Sequence, residues 1–219
     1  MADNFLKGKN MARSEAVKQM SKLTILLPGG IIPPAILARV SDLLERFEFG
    51  LYVSTAQNLR LVNIAEEDLA VIKEELAAAG ASFKGPGLFP MAKVCIGATS
   101  CNLGIVDTIE ISRKIAERFG DRTNVKPKFK IAVSGCPAAC SGAMLADIGV
   151  VATRAGFDLY VGGKGGPRPA AGKRIKKGSD LAGVLDTIES LVDFHQQNTG
   201  KKQRFAKLIE ADNFPFSFI

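Results

Sequence analysis

Apolar positions in the first part of the chain switch between two periods, and each switch predicts an element. Leu23-Thr24-Ile25-Leu26-Leu27 is a short apolar run ended by Pro28-Gly29-Gly30, which predicts a buried strand and a turn. Pro33 and Pro34 then open a helix to about Phe47, with Ile36, Leu37, Val40, Leu43, Leu44 and Phe47 on one face. Leu51, Val53 and Thr55 alternate with outward residues, and after a turn at Ala56-Gln57-Asn58 so do Leu59, Leu61 and Asn63. A second helix is predicted from Glu66 to Ala79, ended by Gly80.

The order strand, helix, strand, strand, helix is most of a ferredoxin-like split unit. Gly85-Pro86-Gly87 with Pro90 marks a boundary into a second region. There the pattern predicts a buried helix from about Gly104 to Phe119, capped by Asn102. A strand from Lys128 follows, its even and odd positions facing opposite sides, then strands at Asp147–Val151 and Phe157–Val161 around a turn at Ala155-Gly156. Residues 162–178 hold six basic side chains and no acidic one among many glycines, which predicts a solvated loop. Ser179 is the expected cap of a last long helix carrying Leu181, Val184, Leu185, Ile188, Leu191 and Val192 on one face. His195, the only histidine, is expected as a surface or helix-end residue rather than a catalyst. The division is therefore a basic arm over 1–22, a half-domain over 23–84 and a second domain over 85–219, an α+β fold.

Composition narrows the partners. A chain of 219 residues that is 47% hydrophobic can bury a substantial core. No apolar run reaches the roughly 18 residues of a membrane helix, so no membrane is expected. The formal charge is +7, which suits an acidic macromolecular partner or a polyanionic ligand. Nucleic acid fits poorly: no binding module is recognisable, and no tryptophan and only two tyrosines are present to stack on bases. A lysine-rich start without a signal peptide points to a reducing, cytoplasmic compartment.

All four cysteines fall between Lys93 and Cys140, as C-x₅-C at Cys95 and Cys101 and C-x₃-C at Cys136 and Cys140. Two disulfides, a structural zinc and four unconnected core thiols are open readings. The compartment speaks against the first and the wide first gap against the second. Gly97, Gly135, Pro137 and Gly142 make these segments loops that bring backbone N–H groups near a buried anion, as an iron–sulfur cluster requires.

The run C-x₅-C followed by S-G-C-P-x-x-C resembles the siroheme-dependent sulfite and nitrite reductases. The resemblance implies a ferredoxin-like half-domain followed by an α/β domain that binds a [4Fe–4S] cluster and siroheme. Cys95, Cys101, Cys136 and Cys140 would hold the cluster, and Cys140 would also be the axial ligand of siroheme iron. L-P-G-G and S-T-A-Q-N-L-R-L-V-N-I are similar to the family's half-domain signature, which puts Gln57, Asn58 and Arg60 on the cofactor side. Ala56 stands where many members carry an anion-binding arginine. P-K-F-K resembles a segment whose two lysines face the substrate, so Lys128 and Lys130, with Lys93 ahead of the first cysteine, are the expected catalytic residues. Siroheme is a polycarboxylate and demands cationic partners, for which Lys164, Arg168, Lys173 and Arg174 are the candidates. The resemblance implies six-electron reduction of sulfite to sulfide, or of nitrite to ammonia, or else a cluster-only accessory subunit. No flavin or nicotinamide fingerprint is present, so electrons would come from a separate acidic donor such as a ferredoxin or flavodoxin. R-F-A-K-L-I-E resembles the closing helix of family members. Larger members carry two copies of the half-domain pair and one is found here, which implies a small reductase whose siroheme is either more exposed or covered by a second subunit of a homo-oligomer.

Overall fold

The computed structural model describes residues 20–123, 125–126, 129–200 and 204–219. The first sheet is antiparallel, ordered β1-β3-β2, from β1 (Met20–Ile25), β2 (Gly50–Val53) and β3 (Leu59–Ala65). Strand β1 starts inside the stretch expected as a basic arm; residues 1–19 lie outside the described residues. Helices α1 (Pro34–Arg46) and α2 (Leu69–Ala78) cover one face and join Leu23, Ile25, Leu59, Leu61 and Ile64 in a core with Ile36, Val40, Leu43, Ile72 and Leu76. Only a narrow stripe of α1 is buried, and Leu37 and Leu44 of the predicted face are exposed, because a three-stranded sheet shared by two helices is small. Strict alternation predicts Asn63 on the inner face with Leu59 and Leu61. Asn63 instead takes a positive φ of 60°, the register slips between Ser21 and Lys22, and Ile64 turns into the core.

The second sheet has five strands in the order β4-β5-β6-β7-β8: β4 (Lys93–Val94), β5 (Ile131–Ser134), β6 (Ile148–Thr153), β7 (Gly156–Val161) and β8 (Lys173–Ser179). The first three are parallel and the last two join antiparallel. Helices α3 (Thr108–Phe119) and α4 (Leu181–Asn198) pack on one face, where Ile111, Ile115, Phe119, Val184, Ile188 and Leu191 meet Val94, Val133, Ile148 and Val150. All of β5 is buried rather than alternating, since a smaller cluster of Ala132, Ala143, Ala146 and Val151 covers its other face. Among the described residues, no helix is long and apolar enough to cross a membrane.

Several expectations fail here for identifiable reasons. Helix α3 starts at Thr108, not Gly104, because Gly104 is pressed against Gly97 and Ala98, where a Cβ would come within 2.4 Å; Asp107, not Asn102, is the cap and accepts from the N–H groups of Ile109 and Glu110. The basic run 162–178 is not all loop: its end is strand β8, edged by the C-terminal tail, whose Ile219 N–H donates to the Arg174 carbonyl at 2.9 Å. Asp180 rather than Ser179 caps α4. His195 is buried, its ring 4.8 Å from Phe129 and 5.6 Å from Phe205, because the segment from Arg204 folds back over the end of α4 as one short 3-10 turn, Phe205–Lys207, instead of the closing helix.

Candidate active site

Parallel strands present their carboxyl ends as a ligand-binding edge, and both cysteine pairs lie there. Cys95 directly follows β4, and Cys136 follows β5 by two residues. The two loops meet backbone to backbone. A Cβ on Gly135 would sit 3.0 Å from the Gly97 Cα, and one on Gly97, whose φ is +61°, would be 2.6 Å from the Val106 carbonyl. The Gly135 N–H points at Cys95 Sγ at 3.1 Å, and the Ile105 N–H donates to the Gly135 carbonyl at 2.8 Å. Buried Ser134 and Ser141 share a 2.6 Å hydroxyl hydrogen bond that pins the two ends of the second loop. All four thiols are free; Cys136 is buried and Cys140 exposed. Among the described residues, no three His, Cys, Asp or Glu side chains are gathered closely enough to hold a metal ion. The donor chemistry nonetheless fits an anionic cluster: four thiols on two touching loops, with an amide already aimed at one sulfur.

Beside these loops, a cavity of about 560 Å³ opens between the two sheets. Its wall includes Ser141 and Gly142, the residues after Cys140, and the ammonium-bearing Lys84, Lys93, Lys126 and Lys130. No Asp or Glu is among the described residues lining it. A second cavity of about 550 Å³ shares Thr55, Ala56, Asn58, Lys84, Gly85 and Pro86 with the first and adds Lys22 and Arg60. Arg60 pairs across the sheet with Thr24 and Tyr52, on the face away from the helices. Cations without a carboxylate among the described lining residues, set round two adjoining cavities, give an electropositive site suited to a polyanion.

The structure sorts the expected site residues. Lys93, Lys130, Asn58 and Arg60 line these cavities. Lys128 lies outside the described residues. Gln57 is engaged elsewhere, since its Nε2 donates to the Val94 carbonyl at 2.7 Å and its Oε1 accepts from the Val94 N–H at 2.8 Å. Among the described strands β4 pairs with β5 alone, so this side chain acts as a one-residue neighbour on its other edge. Lys164, Arg168, Lys173 and Arg174 do not line either cavity. Lys164 pairs with Ala170 in a small hairpin with Arg168 near its tip. Lys173 sits 4.6 Å from the Phe218 ring centre, and Arg174 pairs with Asp158 at 3.3 Å, on the sheet edge farthest from β4. Sequence reasoning misses Lys84 and Lys126; the only signal for them is their place near Pro86 and Pro127.

Comparison with known proteins agrees with this layout. Residues 91–212 match the nitrite and sulphite reductase 4Fe-4S domain, and residues 18–79 match the nitrite/sulfite reductase ferredoxin-like half domain. The chain is 29% identical over 201 residues to the assimilatory-type sulfite reductase of Nitratidesulfovibrio vulgaris, covering 89% of this chain and 91% of that protein. It is 31% identical over 186 residues to the large subunit of nitrite reductase (NADH) from Escherichia coli, covering 84% of this chain but only 22% of that protein. Its fold is similar to that of the Mycobacterium tuberculosis NirA protein, with a TM-score of 0.72 at 20% identity over 87% of this chain and 38% of the other. It is also similar to dissimilatory sulfite reductase I, with a TM-score of 0.75 at 12% identity over 87% and 66%. More than half of the residues lie inside the first match alone, and the chain therefore belongs to the nitrite and sulphite reductase family of oxidoreductases.

Proposed function

We propose that this chain is a small sulfite reductase, holding a [4Fe–4S] cluster on Cys95, Cys101, Cys136 and Cys140 and siroheme in the paired cavities. It takes electrons from a separate acidic donor. The observation that carries this reading is the lysine-walled cavity, with no acidic side chain among its described lining residues, bordered by the residues that follow Cys140. When bound, siroheme supplies the redox-active iron at which the anion is reduced. Lys93, Lys126 and Lys130 neutralise the oxyanion and are placed to deliver protons as oxygen leaves. Lys22, Arg60 and Lys84 face the neighbouring hollow and take carboxylates of the macrocycle; Arg60 is the nearest cation in sequence to the position Ala56 leaves empty of charge. Sulfite is the proposed anion, from the match to the assimilatory-type sulfite reductase over 89% of this chain, and nitrite at the same site is the alternative.

The test is the visible spectrum of freshly purified protein together with turnover of sulfite and nitrite under a reduced dye. A siroheme band and faster sulfite turnover are expected, and Cys140→Ser should lose the macrocycle and turnover. A brown cluster spectrum alone would reduce the assignment to an electron-transfer subunit, and faster nitrite turnover would move it to nitrite reduction.

A further inference from the structure

Asp147, between the 3-10 turn Ala143–Leu145 and β6, is wholly buried yet carries a charge-bearing group that the proposed reaction does not use. Its Oδ2 accepts the Lys130 N–H at 3.0 Å, and the Lys130 carbonyl accepts the Ile148 N–H at 3.0 Å. Both backbone polar atoms of a cavity-lining lysine are thus fixed by Asp147 and its neighbour. The other oxygen, Oδ1, accepts Arg204 Nε at 3.0 Å and the Phe205 N–H at 3.2 Å. Arg204 in turn donates Nη2 to the Gly163 carbonyl at 3.2 Å, and the Gly162 N–H donates to the Asp147 carbonyl at 3.0 Å. Gly163 is packed so tightly that a Cβ would meet the Met144 carbonyl at 2.4 Å, and two residues on, Gly165 lines the cavity. One carboxylate and one guanidinium therefore hold two separate walls of the same hollow.

Stability alone does not account for such a pair. Desolvating two charges offsets most of their attraction, and well-packed apolar replacements are often as stable. Burial pushes the Asp147 carboxyl above its ordinary value, while Arg204 and the two N–H donors oppose that rise. A geometric role explains the retained cost. We propose that Asp147 and Arg204 form a positioning pair that sets the distance between the Lys130 wall and the Gly163–Gly165 wall, and so governs how tightly a small oxyanion is gripped. The mechanical half stands by itself; the oxyanion half rests on the proposed function.

The experiment compares Asp147→Asn and Arg204→Lys with the unaltered chain in its cofactor-loaded form. It measures amide hydrogen exchange at Lys130 and at Lys164, whose N–H donates to the Ala170 carbonyl at 2.9 Å, and, separately, sulfite binding and turnover. Asp147→Asn should speed exchange at Lys130 about tenfold and raise the KM for sulfite about tenfold, with a smaller fall in kcat. Arg204→Lys keeps the charge but loses the second donor, so exchange should rise at Lys164, not at Lys130, with a smaller rise in KM. Unchanged exchange at Lys130 in Asp147→Asn overturns the proposal, as does a fall in kcat with KM unmoved. If Asp147→Asn does not fold, Arg204→Lys decides: unchanged Lys164 exchange and KM end the idea. Should the unaltered chain bind and reduce no sulfite, the functional reading fails instead, and the pair is then judged on exchange alone.

Discussion

Two regions of this molecule are equally rich in cations and use them in opposite ways. Around the cavity, Lys84, Lys93, Lys126 and Lys130 converge from the linker, from β4 and from the approach to β5, with no carboxylate among the described lining residues. Along β8, Lys173 and Lys176 lie over the rings of Phe218 and Phe216, and Arg174 faces Asp158. The first set is scattered in sequence and gathered in space; the second is contiguous in sequence and already partnered. A run of positive charge in a chain thus reports neither where field accumulates nor where an anion will sit. What decides it is whether the fold supplies each cation with a ring or a carboxylate of its own.

The strongest way to break this contrast is to remove cations from both regions. Replacing Lys93 and Lys130 together by Ala should lower sulfite turnover about 100-fold or more, since each charged contact to a bound anion contributes roughly 1.5–3 kcal/mol. The matching Lys173→Ala/Arg174→Ala variant should stay within about threefold. Equal losses would erase the distinction. Stability should divide along a different line. Phe205→Ala empties a fully buried ring site against Phe129 and His195 and should cost about 3–5 kcal/mol in denaturant unfolding. Phe218→Ala, on a ring that is 42% exposed, should cost less than about 1 kcal/mol. The smallest effect belongs to a third kind of cation, on the solvent side of α1 and α2. Arg46, through a paired hydrogen bond at 2.8 Å, and then Arg39 hold Glu75 below the usual carboxylate range. With the folded value lowered, the contribution of Glu75 is complete above the ordinary carboxylate pKa and is lost as pH falls through the folded one. Glu75→Gln should therefore remove a slight acid-side slope from a melting-temperature profile, and raised salt should do the same. A steeper slope in the variant would contradict the assignment.

These regions also explain what can be read from the residues alone. Cysteine and glycine spacing is local, so the placing of Cys95, Cys101, Cys136 and Cys140 on loops is legible, as is the strand and helix order of the first half. Strand β8 is not, because lysine and arginine in a glycine-rich run carry no apolar alternation; their long stems are accommodated by tail aromatics some forty residues later. The burial of His195 is not legible for a similar reason: the rings that bury it come from Phe129 and Phe205. Lys84 and Lys126 are invisible as a pair since only the packing of two sheets brings them together. Local pattern identifies elements and donors, whereas convergence and pairing depend on residues distant in sequence.

The amide of Gln57 has a consequence of its own. It grips Val94, the residue between cavity-lining Lys93 and Cys95, from a turn that belongs to the other sheet. A sliding motion of one half against the other would drag on the strand that leads into the sulfur loop. The two halves are geared at this tooth, so whatever shifts the lysine-walled cavity is transmitted directly to the cysteine loop beside it.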